Sequence, residues 1–368
     1  MTDRQPPEFV KVDPAAVEAD LVARYEAATG KTLYPAQVER LFINQIAYAH
    51  GLAQANIQST GEKVLVRFSS GIILDYLGDL VGTPRLLAKA AQCKMRFSKK
   101  EEAGADFIVP AGTRVATVDG RTVFEIEGEA RVTSMPAIVD AFCTVEGVSG
   151  NGWMPGQVSV IEGDLPVVAV NVTESTGGAG DEADDRYKER IIAAPEAYTN
   201  AGSYGAYRHH AMSSHQSIVD VVVHGPNEGE KPGHVAIYPL VETGLPSEYL
   251  QAVVLAALSS ERVRPLCDTV LVRQPEIVNY EIRARLTFYE TADRTETATR
   301  AREALDAYIA ARQRELGADL VPEQIAAVLQ VSGVYRVQMQ APALRVLASH
   351  QWGYCSAITL IDGGTAHG

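Results

Sequence analysis

The sequence predicts a multidomain α+β protein. An N-terminal helical region, a small antiparallel β domain, a central helical linker and two tandem α/β units follow one another. Three observations carry this. Apolar residues recur at helical spacing up to about residue 90. Period-two alternation with closely spaced turns then takes over. Beyond a glycine-rich stretch, strands alternate with helices. The expected boundaries are 1–90, 91–170, 171–215, 216–275 and 276–368.

Residues 1–12 are polar and contain proline, and read as a loose arm. Asp13-Pro14 is an N-cap followed by proline at the first helical position, and Val17, Leu21 and Tyr25 follow at spacing four. Gly30 is the expected stop. Tyr34-Pro35 opens a longer helix to about residue 58, spanning about 35 Å at 1.5 Å per residue. One stripe of it carries Val38, Leu41, Phe42, Gln45, Tyr48, Ala49, Leu52 and Ala55, with Ile43 and Ile46 off the stripe. A helix apolar on two sides packs one on its own domain and offers the other to a partner. Val38, Leu41, Phe42, Gln45, Tyr48 and Leu52 are therefore the candidate partner interface; an ordinary helical hairpin is the plainer alternative. A polar turn is expected after Gly61, then an apolar helix through Ile72, Ile73, Leu74, Tyr76, Leu77 and Leu80 ending at Gly82. Thr83-Pro84 reads as the start of a further helical turn through Leu86 and Leu87.

From Cys93 to Phe97 polar and apolar residues alternate, as in a half-buried strand. Phe107–Thr113 reads as strand, turn, strand. Asp119-Gly120 before Val123-Phe124 signals a hairpin. Strands are expected at 139–145 and within 158–170, around a glycine-rich loop at 148–156. Turns every 8–12 residues suggest a sandwich or barrel.

Residues 171–210 are the most distinctive stretch. Thr176-Gly177-Gly178-Ala179-Gly180 favours a turn over a strand. Asp181, Glu182, Asp184 and Asp185 then suit the positive end of a helix, with Glu182–Arg186 and Asp184–Lys188 as acid-before-base pairs. Tyr187 and Ile191 share a face, and Pro195 ends or kinks the helix. Ala201-Gly202-Ser203 is a turn, with Ser203 capping a helix through Tyr204, Tyr207 and Ala211. A phosphate cradle is disfavoured: no GxxxxGK[ST] follows, and the next residues are acidic. The acids do not match an EF-hand loop. A capped helix with a solvated acidic first turn is the preferred reading.

Further on, strands are expected at 217–223, 234–240 and 269–272, with Ser247 capping a helix through Leu250, Val254 and Leu258. A loosely repeated β-β-α-β order follows: strand 278–289, helix about 297–316, a short helix opened by Pro322, and strands 334–340 and 356–361.

Formal net charge is −13, from 46 acids and 33 bases, which argues against nucleic-acid and anionic-membrane binding. There is no apolar run of about 18 residues and no signal-peptide pattern at the start. Cys93, Cys143, Cys267 and Cys355 form no CxxC pair and suit a reducing cytoplasm.

No catalytic, cofactor-binding or metal-binding residue stands out. GxSxG and GxGxxG are absent. His209, His210, His215, His224 and His234 are close in sequence but lack the HExxH spacing. The alternative function is a metal-dependent hydrolase using the His209–His234 region, for which stoichiometric metal in the purified protein is the test. A glycan-binding β domain is a third reading, and 91–170 offers no aromatic platform for it.

Several stretches resemble the baseplate J-like family of contractile tails, tailocins and injection systems. Asn171-Val172-Thr173-Glu174-Ser175-Thr176-Gly177-Gly178, the acidic helix to Ile191, Pro195 and Ala201-Gly202-Ser203-Tyr204-Gly205-Ala206-Tyr207 are similar to its central signature. Val109-Pro110-Ala111-Gly112-Thr113, Gly150-Asn151-Gly152, Arg264-Pro265-Leu266-Cys267-Asp268 and Leu77-Gly78-Asp79-Leu80-Val81-Gly82 resemble further family segments. The resemblance covers roughly residues 35–360, in the family's order.

It implies a structural wedge subunit without catalysis or cofactor. The implied partners are a tail protein I-like subunit and other copies of the chain, in pairs within a wedge and six wedges per ring. A sheath-initiator or lysozyme-like wedge protein, the spike hub and tail fibres are further implied neighbours. N-terminal helices would join the partner's in a bundle, and C-terminal domains would meet neighbouring copies. Synthesis in the bacterial cytoplasm and incorporation into a baseplate that relays the contraction trigger are expected.

Overall fold

The computed structural model describes residues 5–100, 106–198, 202–260, 263–265 and 267–367. Ala201 of the expected turn, Leu266 of the Arg264–Asp268 segment and the first four residues of the expected arm lie outside them. The fold is a multidomain α+β arrangement. Residues 1–85 with 183–194 form one compact unit, and residues 86–182 with 195–368 form a second.

In the first unit, α1 (Pro14–Thr29) begins on Asp13, whose carboxylate accepts from the Ala16 N–H at 3.0 Å, and ends at Gly30 in the left-handed conformation. The second helix, α2, is Val38–Lys63, and α3 is Gly71–Leu80. The sequence-based start of α2 is three residues early, and its expected end is five residues short. The helix runs through Gly61, whose bare face takes the ring of Phe9, and the turn expected after that glycine follows Lys63. The Gln58 amide holds the same N-terminal segment, accepting from the Phe9 N–H at 2.8 Å. The last helix, α4 (Asp184–Ala193), is drawn from mid-sequence and buries Tyr187 and Ile191 against Leu74 of α3. A 3-10 turn from Ala194 through Pro195 ends it.

The second unit opens with a β domain. Its strands are β1 (Ala90–Lys99), β2 (Phe107–Val109), β3 (Arg114–Thr117), β4 (Val123–Ile126), β5 (Ala130–Val132), β6 (Ala137–Glu146), β7 (Val158–Ile161) and β8 (Val167–Asn171). Six form an antiparallel sheet in the order β7-β3-β4-β6-β1-β8, and β2 pairs with β5. Inward residues of every second position, among them Met95, Phe97, Val115, Phe124 and Ile126, fill one continuous core. The outermost strands approach each other through Asn171: its side-chain oxygen accepts from the Val158 N–H at 2.9 Å, and its carbonyl from the Gly156 N–H at 3.0 Å.

The expected helical turn at Thr83-Pro84 is absent; residues 83–88 form no regular secondary structure. The N–H groups of Leu86 and Ala88 are taken by the carboxylates of Glu182 and Asp181, and Lys89 pairs with Ala179. Those donors are therefore not available to a helix.

After the 3-10 turn, α5 (Tyr204–Ser214) begins on Ser203, whose hydroxyl accepts from the Ala206 N–H. It packs with α6 (Glu248–Leu258), capped by Ser247, on a three-stranded sheet of β9 (Ile218–His224), β10 (His234–Val241) and β11 (Thr269–Val272). Central β10 is antiparallel to β9 and parallel to β11. The last module comprises β12 (Glu276–Tyr289), α7 (Arg294–Arg312), α8 (Pro322–Leu329), β13 (Val334–Ala341) and β14 (Gln351–Ala366). Here β12 is central, antiparallel to β13 and parallel to β14. The second module's elements follow in the expected order, and the β-β-α-β repeat between the modules is, as expected, only loose. The second module starts with its central strand and places both helices before its second strand. A parallel neighbour cannot follow through a tight turn, so connections differ while the pairing pattern is kept.

Candidate assembly surface and signature segment

The α1–α2 hairpin is short of a core. No residue of α1 is buried, and α2 buries only Ile43, Ala47 and Gly51, with Gly51 against Pro14. This buried row is the side that carries Ile43, not the predicted stripe. Val38, Leu41, Phe42, Gln45, Tyr48 and Leu52 all face outward, the five apolar or aromatic ones each more than half exposed. An open groove of about 480 Å³, lined by Val17, Leu21, Ile46, His50 and Gln54 among others, runs between the helices. On α3, Ile72, Tyr76 and Leu80 form a second exposed apolar row, opposite buried Leu74 and Gly78. Its spacing-four pattern is plain in the sequence, which marks the helix as apolar without telling its exposed row from its buried one.

The signature segment is structural glue. Asn171 is buried, and its amide nitrogen donates to the carbonyls of Met154 and Thr173 at 2.9 Å. The Ser175 hydroxyl donates to Gly150 O at 2.6 Å and accepts from the Trp153 N–H. The Asn151 amide pairs with both backbone groups of Gly178, at 2.7 and 2.8 Å. A Cβ on Gly178 would sit 2.3 Å from Gly147 O, so this glycine serves close backbone approach and not an anion.

The acidic run is not a solvated first turn. Glu182 is buried and precedes α4. Asp184 ion-pairs with Arg85 at 2.7 Å and accepts from the Gly71 N–H at 3.0 Å, so its expected partner Lys188 reaches Asp185 instead. Chiefly the Gly71 N–H, with Arg85 adding to it, holds the Asp184 carboxyl below its usual range. Asp185, with a fully exposed side chain, and exposed Asp181 match the solvated expectation. Below the run, the Arg85 guanidinium lies over the Tyr187 ring, 4.6 Å from its centre. The Arg190 guanidinium donates to Pro84 O at 2.7 Å.

The histidines are not brought together as a ligand set. Buried His215 is bonded to Ser217 and to Gly177 O, and His224 Nε2 lies 2.7 Å from Ser349 Oγ. His209 is buried within α5, and His234 lies at the start of β10. Among the described residues no three of His, Cys, Asp and Glu gather closely enough to hold a metal ion. No described helix is long and apolar enough to cross a membrane.

The geometry defines a modular protein built as a helical unit, a β barrel and two small α/β modules. Three family models match in succession and together span well over half of the chain. They are the Baseplate J-like protein barrel domain (94–178), the Baseplate J-like central domain (199–274) and the Baseplate J-like protein C-terminal domain (280–361). The chain belongs to the Baseplate J-like family. Baseplate protein J of Escherichia phage P2 is 39% identical over 187 residues, which is 50% of this chain and 60% of that protein. The match therefore spans less than two thirds of that relative. A chain of the anti-feeding prophage baseplate, solved by cryo-EM with 6-fold symmetrisation, aligns over 94% of this chain and 90% of its own, at 14% identity and a TM-score of 0.43.

Proposed function

We propose that this protein is a structural wedge subunit of a contractile-tail baseplate. The observation that carries the reading is the under-packed hairpin. The absence of a buried residue on α1 and the exposed row of Val38, Leu41, Phe42, Gln45, Tyr48 and Leu52 on α2 support a larger bundle completed by helices of other chains. The bundle partners are a tail protein I-like subunit and a second copy of this chain. Six such wedges close a ring around the spike hub, with a lysozyme-like sheath initiator and tail fibres as further neighbours. The chain is made in the bacterial cytoplasm, enters the tail baseplate and relays the contraction trigger. Membership of the Baseplate J-like family and the absence of any convergent reactive centre in the sequence support a role without catalysis.

Co-expression with the tail protein I-like product of the same tail cluster tests this. A stable complex, lost when Leu41 and Phe42 are replaced by aspartate, is the expected result. A chain that purifies alone under all conditions, beside a tail protein that assembles without it, overturns the reading.

A further inference from the structure

The two α/β modules meet over a ring cluster. His224, at the end of β9, is only 7% exposed. Its imidazole stands edge-on to that of His350, with ring centres 5.2 Å apart, and Tyr238 of β10 closes the triangle at 5.0 and 5.3 Å. Ser349 Oγ, from the second module, lies 2.7 Å from His224 Nε2. The rest of the seam is polar or closely fitted. Asp220 accepts from the Leu316 N–H at 2.9 Å, Arg314 pairs with Glu242 at 2.8 Å, and the Trp352 indole lies against Gly244. The histidines are thus the part of this contact whose charge changes near neutral pH.

We propose that His224 and His350 form an acid-sensitive latch between the α/β modules, closed when both rings are neutral and released when both carry a proton. Two cations about 5 Å apart at a desolvated seam repel strongly. The buried Nδ1 of His350 has no hydrogen-bond partner, so a proton there adds a donor without an acceptor. The other charges around His224 are Glu228, Glu230 and Arg273. Arg273 is committed to Glu230 and reaches the Tyr238 hydroxyl at 3.2 Å, and Glu228 accepts from Tyr204. Glu276 faces His350 at 3.6 Å with a largely exposed carboxylate, where solvent weakens its pull.

Burial, and then the neighbouring His350, lower the His224 pKa from its ordinary 6.5. The separated, hydrated ring takes a proton more readily than the docked one. Docking is therefore fully stable above about pH 6.5 and weakens as pH falls below it.

Amide exchange on the full chain, expressed as protection factors between pH 7.5 and 5.5, tests the latch. The expected result is a loss of about tenfold or more in residues 234–241 and 347–352, with β8 of the barrel unchanged. His350→Phe keeps a ring and removes one charge, and should weaken that dependence, leaving the part that burial of His224 supplies. The proposal is overturned if wild-type protection at the seam does not fall, if the barrel loses protection in parallel, or if His350→Phe retains the full pH dependence. The wild-type measurement decides even where the variant does not fold.

Discussion

The Tyr187 hydroxyl donates a 2.8 Å hydrogen bond to the carbonyl of Thr83, 104 residues earlier in the chain. It does so beneath Gly78, where a Cβ would come 1.9 Å from that hydroxyl and 2.6 Å from Thr83 O. Tyr187→Phe leaves a buried carbonyl unpaired and should cost about 1–3 kcal/mol. Gly78→Ala must displace both groups and should cost at least as much. Urea titration followed by amide exchange in α3 and α4 reports this unit separately from the rest.

Asn171 should be the most sensitive polar residue of the barrel. Asn171→Asp keeps the acceptor for the Val158 N–H but turns a carboxylate oxygen toward the carbonyls of Met154 and Thr173. Asn171→Ala strands all of these groups. Both should lower stability by roughly 2–5 kcal/mol, with the aspartate variant recovering as it is protonated. Thermal melts at pH 7 and pH 4 would show the difference.

The two sides of α2 should respond in opposite ways. Leu41→Asp or Phe42→Asp alters an exposed position and should change the melting of the isolated chain little, within about 0.5 kcal/mol, while abolishing any complex formed through that face. Ile43→Asp buries a charge against α1 and should unfold the hairpin. Circular dichroism and pull-down on the same three variants separate folding from association.

Acid should loosen the helical unit through Asp184. The Gly71 N–H and Arg85 depress its folded pKa below the ordinary 3.8, so its contribution is present above that value and is lost as pH falls through the folded one. Asp184→Asn should lower stability at pH 7 and remove this part of the acid dependence. Melts of both proteins between pH 7 and 2.5 would check it.

Thiol labelling should rank the cysteines by burial. Burial first, then Asp140 and Cys143, pushes the Cys93 thiol up to about 12, while Cys267 is exposed. Iodoacetamide at pH 8 should modify Cys267 first and leave Cys93 and Cys143 intact until unfolding, as read by peptide mass spectrometry.

Signals confined to a few neighbouring residues could be read from the sequence. Asp13-Pro14, Ser203 and Ser247 cap the helices they were expected to cap, and Asp119-Gly120 turns its hairpin. Errors arose wherever a distant partner decided the outcome. The expected end of α2 falls short of Gly61, on which Phe9, fifty-two positions earlier, packs. Residues 86–88 are not helical because Glu182 and Asp181 take the N–H groups of Leu86 and Ala88, and Glu182 is buried as it does so. Which side of α2 faces α1 depends on small residues, Ala47 and Gly51, whose apolar signal in the sequence is weak.

The helical unit is discontinuous in sequence, and this bears on how the protein can be dissected. A fragment starting at Leu86 would still carry α4 while lacking Leu74 and Thr83, so Tyr187 and Ile191 would lose their cover and promote aggregation. A well-behaved fragment would also have to delete 183–194 and splice Glu182 onto Pro195. Conversely, the helices expressed on their own would need a transplanted α4 before their solubility meant anything.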